Sequence, residues 1–126
     1  MKPNLLNPSA GHSKIISFTR DCQAVSGNVS YTGVGFKPSS LHTHWAVSGV
    51  FQGVSFTDTL LASAAWVWSA ANIGVAKFFQ CGDDAAPTNG QTSIVASFDG
   101  DGFTLTWTLH GAGKANTPTI YVLCVR

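Results

Sequence analysis

The hydrophobic pattern is sharpest over residues 93–109. Phe103, Leu105, Trp107 and Leu109 take every second position, with Thr104, Thr106 and Thr108 between them. A period of two built from aromatic and β-branched residues is the pattern of a strand with one buried face. Just upstream, Ile94, Ala96 and Phe98 alternate with Ser93 and Ser97 around a two-sided Val95. The linker Asp99-Gly100-Asp101-Gly102 predicts a tight hairpin turn, its Asp-Gly step supplying the positive φ such turns need. Fainter alternation predicts further strands over residues 14–20 (Ile16 and Phe18 inward), 28–34, 41–48 (Leu41, Thr43, Trp45 and Val47 on one face), 50–57 and 73–81. Residues 119–126 are apolar at successive positions, which predicts a central strand covered on both sides.

Residues 60–71 carry two signals. Their alanines favour a helix that Asp58 or Thr59 could cap. Trp66 and Trp68, flanking Val67, favour a strand over residues 65–69 entered from an irregular loop, and that is the expectation here. Eight or nine short strands separated by glycine- and proline-rich turns predict an all-β fold, an antiparallel β-sandwich with jelly-roll-like character. One sandwich domain is expected over residues 14–126, with Phe18, Phe36, Phe98, Phe103, Leu105, Trp107, Ile120 and Val122 mostly buried. Residues 1–13 hold two prolines, which remove ladder donors, so an N-terminal arm is expected there with Leu5 and Leu6 as its apolar anchors.

Composition changes the picture at the surface. Charged residues are 10% of the 126, against roughly 25% in an ordinary globular domain, and there is no glutamate. Such a surface must be largely Ser, Thr, Asn and Gly, or be covered by other chains. A net charge of +1 with scattered Lys and Arg gives no basic face for nucleic acid. No apolar run reaches the length of a signal-peptide core or a membrane span, so synthesis in a cytosol without a secretory signal is expected. Cys22, Cys81 and Cys124 are far apart and lack metal-ligand spacing; three buried reduced thiols are expected, one disulfide with a spare thiol being the alternative.

The candidate chemistry is sparse. His42 and His44 lie at i and i+2 of a strand, so both imidazoles point the same way and could meet one ion. One chain offers only these two, and three chains about a three-fold axis would offer six; the plainer reading is a polar or subunit-contact face, and no metal or other cofactor is expected. The run from Asp99 to Gly102 superficially resembles a calcium loop, but the twelfth position, where a bidentate Glu is needed, is His110. No nucleophile elbow, phosphate-binding glycine loop or His-Glu-x-x-His motif is present, and an enzyme is not expected. Trp45, Trp66, Trp68 and Trp107 could stack on sugars. Of these, Trp107 reads as core, and Trp66 and Trp68 read as exposed or at a subunit contact.

Two segments carry a resemblance. Tyr31-Thr32-Gly33-Val34-Gly35-Phe36-Lys37-Pro38 is a Thr-Gly-x-Gly-Phe-x-Pro corner before an apolar strand. Residues 97–107 form an Asp-Gly-Phe hairpin, followed by the apolar run Ile120-Tyr121-Val122-Leu123. Together they resemble a small all-β domain of tailed-bacteriophage virion proteins, of the capsid decoration, head-fibre and tail-fibre type. The resemblance spans about residues 29–126 and brings no catalytic residues with it. It implies a structural protein of the virion, a capsid decoration or cement protein ahead of a receptor- or glycan-binding fibre domain. The implied partners are its own copies, as a homo-oligomer and first of all a trimer, and other virion proteins such as the major capsid protein. Leu5, Leu6, Trp66 and Trp68 are the expected contact residues.

Overall fold

A computed structural model describes residues 13–47, 51–68, 73–82 and 87–126. The described chain is all-β, with ten strands in two antiparallel sheets packed as a sandwich. The strands are β1 Ser13–Thr19, β2 Gly27–Tyr31, β3 Ser40–Val47, β4 Phe51–Thr57, β5 Ser63–Trp68, β6 Ile73–Val75, β7 Phe79–Cys81, β8 Gly90–Asp99, β9 Gly102–His110 and β10 Thr119–Val125. One sheet has the order β1-β10-β3-β4-β5-β6 and the other β2-β9-β8-β7. Among the described strands the first two therefore pair with the last two, β1 on β10 and β2 on β9, while β3–β6 and β7–β9 run as meanders.

The strand count exceeds the expected eight or nine because residues 73–81 are not one strand. β6 ends at Val75 on the edge of the six-stranded sheet, and the chain crosses through Ala76, Lys77 and Phe78 to start β7 in the other sheet. Phe78, in the crossing, and Phe79, at the start of β7, are both fully buried. The second predicted strand stops at Tyr31, short of residue 34, and residues 63–68 are strand, without helix. A bulge between Val95 and Ser97 interrupts the alternation in β8, leaving Ser93 and Val95 buried and Ile94 exposed.

The core lies between the sheets. Leu41, Trp45, Val67, Ile120, Val122 and Cys124 come to it from the six-stranded sheet, and Phe79, Val95, Phe103, Leu105 and Trp107 from the other. Phe36, Phe103, Leu105, Trp107, Ile120 and Val122 are buried as expected, whereas Phe18 and Phe98 are half-buried and pack against the margin. Phe18 stacks on Tyr31 with ring centroids 3.9 Å apart, closing the side where β1 faces β2.

The hairpin turn is built differently from the expectation. Neither Gly100 nor Asp101 has a positive φ, so this is not the primed turn that Asp-Gly usually forms. Side chains hold it instead. The Asp99 carboxylate accepts hydrogen bonds from Ser97 (2.7 Å) and Thr104 (2.6 Å). The Asp101 carboxylate accepts the Gly35 N–H at 2.6 Å and the Gly33 N–H at 3.0 Å, and its carbonyl accepts the Val34 N–H at 3.1 Å. Gly33 and Gly35 both have φ of 90°, a conformation glycine supplies cheaply, and it turns both N–H groups onto one carboxylate. The two segments that carry the virion-domain resemblance are thus joined through Asp101.

These hydrogen bonds hold Asp101 and Asp99 below the usual carboxylate range, the Gly35 N–H contributing most at Asp101 and Thr104 most at Asp99. A carboxyl whose folded pKa is depressed stabilises the fold above its ordinary pKa of about 3.9, and that contribution disappears as pH falls through the folded value. The thermal midpoint is therefore expected to drop as pH is lowered below about 4. In an Asp101→Asn variant that drop becomes shallower, and melting curves from pH 7 to pH 2 would record it; an unchanged slope would mean the corner is not held by the charge.

Candidate functional site: the outer face of the six-stranded sheet

The outer faces of the two sheets differ in kind. On the four-stranded sheet, the residues facing away from the core form a hydroxyl ladder whose members bond one another. Ser30 and Thr104 share a hydrogen bond of 2.8 Å, Thr106 donates to Asn28 Oδ1 at 2.8 Å, and Thr92 meets His110 Nε2 at 2.8 Å. Asp99 also accepts from Thr104, so polar groups dominate this face, with Ile94 as an exposed apolar member.

The outer face of the six-stranded sheet is apolar. The register places Ile15, Leu123, His42, Phe56 and Ala64 in one row across five strands, and Ser17, Tyr121, His44, Val54, Trp66 and Gly74 in the next row across all six. None of these positions carries an Asp, Lys or Arg. Their side chains stand outward because Leu41, Thr43, Trp45, Ser55, Ala65 and Val67, at the intervening positions, are buried. Ile15 is 67% exposed, Tyr121 53%, Trp66 46% and Phe56 44%. A lone exposed aliphatic is unremarkable, but a contiguous apolar surface marks a contact site.

Here the sequence expectation for residues 119–126 is corrected. β10 is central, between β1 and β3, yet only one of its faces is covered within the chain: Ile120, Val122 and Cys124 are buried, Tyr121 and Leu123 are not. Its apolar outer residues belong to the larger uncovered face.

At the middle of that face lies a shallow depression of about 580 Å³ between β3, β4 and β5, its floor formed by Thr43, Ser55 and Ala65 and its rim by His42, His44, Val54, Phe56, Ala64 and Trp66. The His42 ring meets Phe56 edge-on, centroids 4.8 Å apart at 72°. His42 and His44 do point the same way, as their spacing predicts. Among the described residues, however, no group of three His, Cys, Asp or Glu is placed to hold an ion. The two imidazoles give the face hydrogen-bonding capacity within an apolar surround.

Of the expected contact residues, Trp66 stands on this face. The Trp68 side chain and the whole of residues 1–12, with Leu5 and Leu6, lie outside the described residues. Trp45 and Trp107 are both core. The sequence missed Phe56, Val54, Tyr121 and Ile15 as members of the site. Their signal was a strand apolar on both faces in a chain with few charges, which reads equally as burial within one chain or between chains. No helix among the described residues is long and apolar enough to cross a membrane. No protein-family model, curated protein or solved structure matches the chain.

Proposed function

We propose that this protein is a non-enzymatic structural protein of a tailed-bacteriophage virion, a capsid decoration or cement protein. It assembles with its own copies through the outer face of the six-stranded sheet, on a shell of other virion proteins. The observation that carries the reading is that uncharged apolar face, set against a second sheet whose outer face is mostly hydroxyl and amide groups bonded to one another. The resemblance of the Gly33–Phe36 corner and the Asp-Gly-Phe hairpin to virion domains supplies the setting.

A second copy is the occupant that fits. With no formal charge on the face, there is no electrostatic pattern for an oppositely charged partner to match, while a sheet packs readily on another apolar sheet about 10 Å away. Six strands about 4.8 Å apart, most about seven residues long at about 3.3 Å per residue, present roughly 600 Å². That is the order of the ~800 Å² each partner gives to a standard interface. The imidazoles of His42 and His44 and the Tyr121 hydroxyl supply donors and acceptors that a copy can pair. The resemblance implies a trimer; a face meeting itself would close as a two-fold dimer, and the measured mass separates the two.

The test is sedimentation of the full chain at micromolar concentration, beside Trp66→Asp and Phe56→Lys. Both substitutions lie on the outer face, so folding should survive, as circular dichroism would report. The intact chain is expected to run as a closed oligomer. Each variant should weaken association by at least about 30-fold, the effect of losing a central aromatic contact, and should lose binding to particles lacking the protein. Deleting residues 2–12 tests separately whether Leu5 and Leu6 anchor the chain to the particle. A monomeric intact chain whose particle binding is untouched by either substitution would sink the reading. A monomer whose tryptophan fluorescence responds to oligosaccharides would favour the fibre alternative, a receptor- or glycan-binding domain, for which the depression beside Trp66 would be the site.

A further inference from the structure

Cys22 and Cys81 are 59 positions apart in sequence, and both side chains are fully buried. Cys22 sits in the loop between β1 and β2, where the chain leaves the six-stranded sheet for the four-stranded one. Cys81 ends β7, the edge strand of the four-stranded sheet. Two neighbours tie them together. The Cys22 N–H donates to the Asn116 carbonyl at 3.0 Å, and the Cys81 thiol donates to Oδ1 of the same asparagine at 3.5 Å. Gln91 is the cross-strand partner of Cys81, and its Nε2 donates to the Cys22 carbonyl at 3.4 Å. Asn116 and Gln91 thus bring the two buried cysteines together, and the neighbouring Cys81 thiol and burial hold Cys22 protonated far above the ordinary thiol range.

From this arrangement we infer that Cys22 and Cys81 are a latent disulfide, a site at which a small oxidant of the peroxide class links the β1–β2 loop covalently to the edge strand β7. One sulfur attacks a peroxide oxygen; the O–O bond breaks and hydroxide leaves, taking up that thiol's proton as water. The partner sulfur then attacks the resulting sulfenic sulfur; the S–O bond breaks, and hydroxide leaves with the second thiol proton as a second water. Two thiols and one hydrogen peroxide thus give one disulfide and two waters. The protonated, buried state makes the reaction slow in the closed fold, so the pair stays reduced in a reducing cytosol and oxidises on prolonged exposure outside one. Cys124 is also buried, but it lies within β10 and its thiol is pushed up to about 11 by burial alone, with no second thiol contributing. It is the internal control. The inference does not depend on the virion reading.

The experiment incubates the purified full chain with a small excess of hydrogen peroxide, then alkylates it under denaturing conditions. Non-reducing peptide mapping is expected to show a Cys22–Cys81 linked pair, the intact mass lower by two hydrogens, and Cys124 alone alkylated. Because the bridge closes a long loop, the oxidised chain should melt higher by about 10 °C and return to the starting midpoint on reduction. Cys124→Ala should leave both results intact, and Cys22→Ala should abolish the linkage. The peptide map of the unmutated chain decides the matter even if a variant fails to fold. A linkage that includes Cys124, oxidation of Cys22 and Cys81 to sulfinic acids without a bridge, or thiols that remain reduced after prolonged peroxide exposure would each overturn the inference.

Discussion

Trp107→Ala is expected to cost about 3–5 kcal/mol, the usual consequence of truncating a buried large aromatic. That is a large share of the 5–15 kcal/mol typical of a domain's total stability. The indole is 1% exposed and belongs to the core cluster. Phe79 meets it edge-on at 5.5 Å, and the Arg20 guanidinium lies 4.5 Å above its ring. Its Nε1–H donates to the Tyr31 hydroxyl at 3.2 Å. Truncation leaves a cavity, a half-buried phenol without its donor, and an Arg20 still tied to Gln91 and the Val25 carbonyl but without its aromatic support. Urea titration followed by circular dichroism would measure the loss. Trp107→Phe, which retains most of the packing and forfeits the hydrogen bond, should cost less than half as much; a wild-type midpoint for Trp107→Ala would contradict the packing described here.

Gly102→Ala should be nearly as damaging, at about 3 kcal/mol, the upper part of the range for overpacking. A Cβ at Gly102 would run into the carbonyl oxygen of Tyr31 and crowd Thr32 Cα. Both are backbone atoms, so they yield only if β2 separates from β9 at the end where Asp101 joins the two. Gly100→Ala, two residues away in the same turn, meets nothing within 4 Å and should be nearly silent. The pair of variants compared by chemical denaturation separates the two explanations of this turn. Equal sensitivity at both positions would point to a general need for glycine flexibility, whereas loss at Gly102 alone shows that space against Tyr31 is what demands glycine.

This distinction shows what the sequence could reveal. The β9 alternation was legible because its threonines and its apolar residues have different destinations, water and core. His42 and His44 were legible as outward for the same reason, being interleaved with Leu41, Thr43 and Trp45. The division of residues 73–81 between two sheets was not, because Phe78 and Phe79 are adjacent and equally apolar and give no local sign of where the chain leaves one sheet for the other. The uncovered face was hidden by an ambiguity of burial itself: Tyr121 and Leu123 look the same whether their cover comes from this chain or from another. The contacts that define the Cys22–Cys81 pair and the Asp101 corner span 59 and more than 60 positions, so neither leaves a local spacing to read.

The placement of β10 bears on how the molecule is made. It is inserted between β1 and β3, with seven residue pairs registered on each side, and it comes last in sequence among the ten described strands. Until residue 125 leaves the ribosome, β1 has no partner in its sheet and β3 is paired only with β4. Both strands wait with backbone donors and acceptors open to any other chain. Sheets closed by such distant pairings form slowly, on the scale of milliseconds to seconds. A ribosome extending at about 5–20 residues per second exposes those edges for several seconds more. Closure of the six-stranded sheet therefore waits on the most C-terminal of the described strands, and deleting residues 119–125 would leave two open strand edges facing each other across the width of one missing strand.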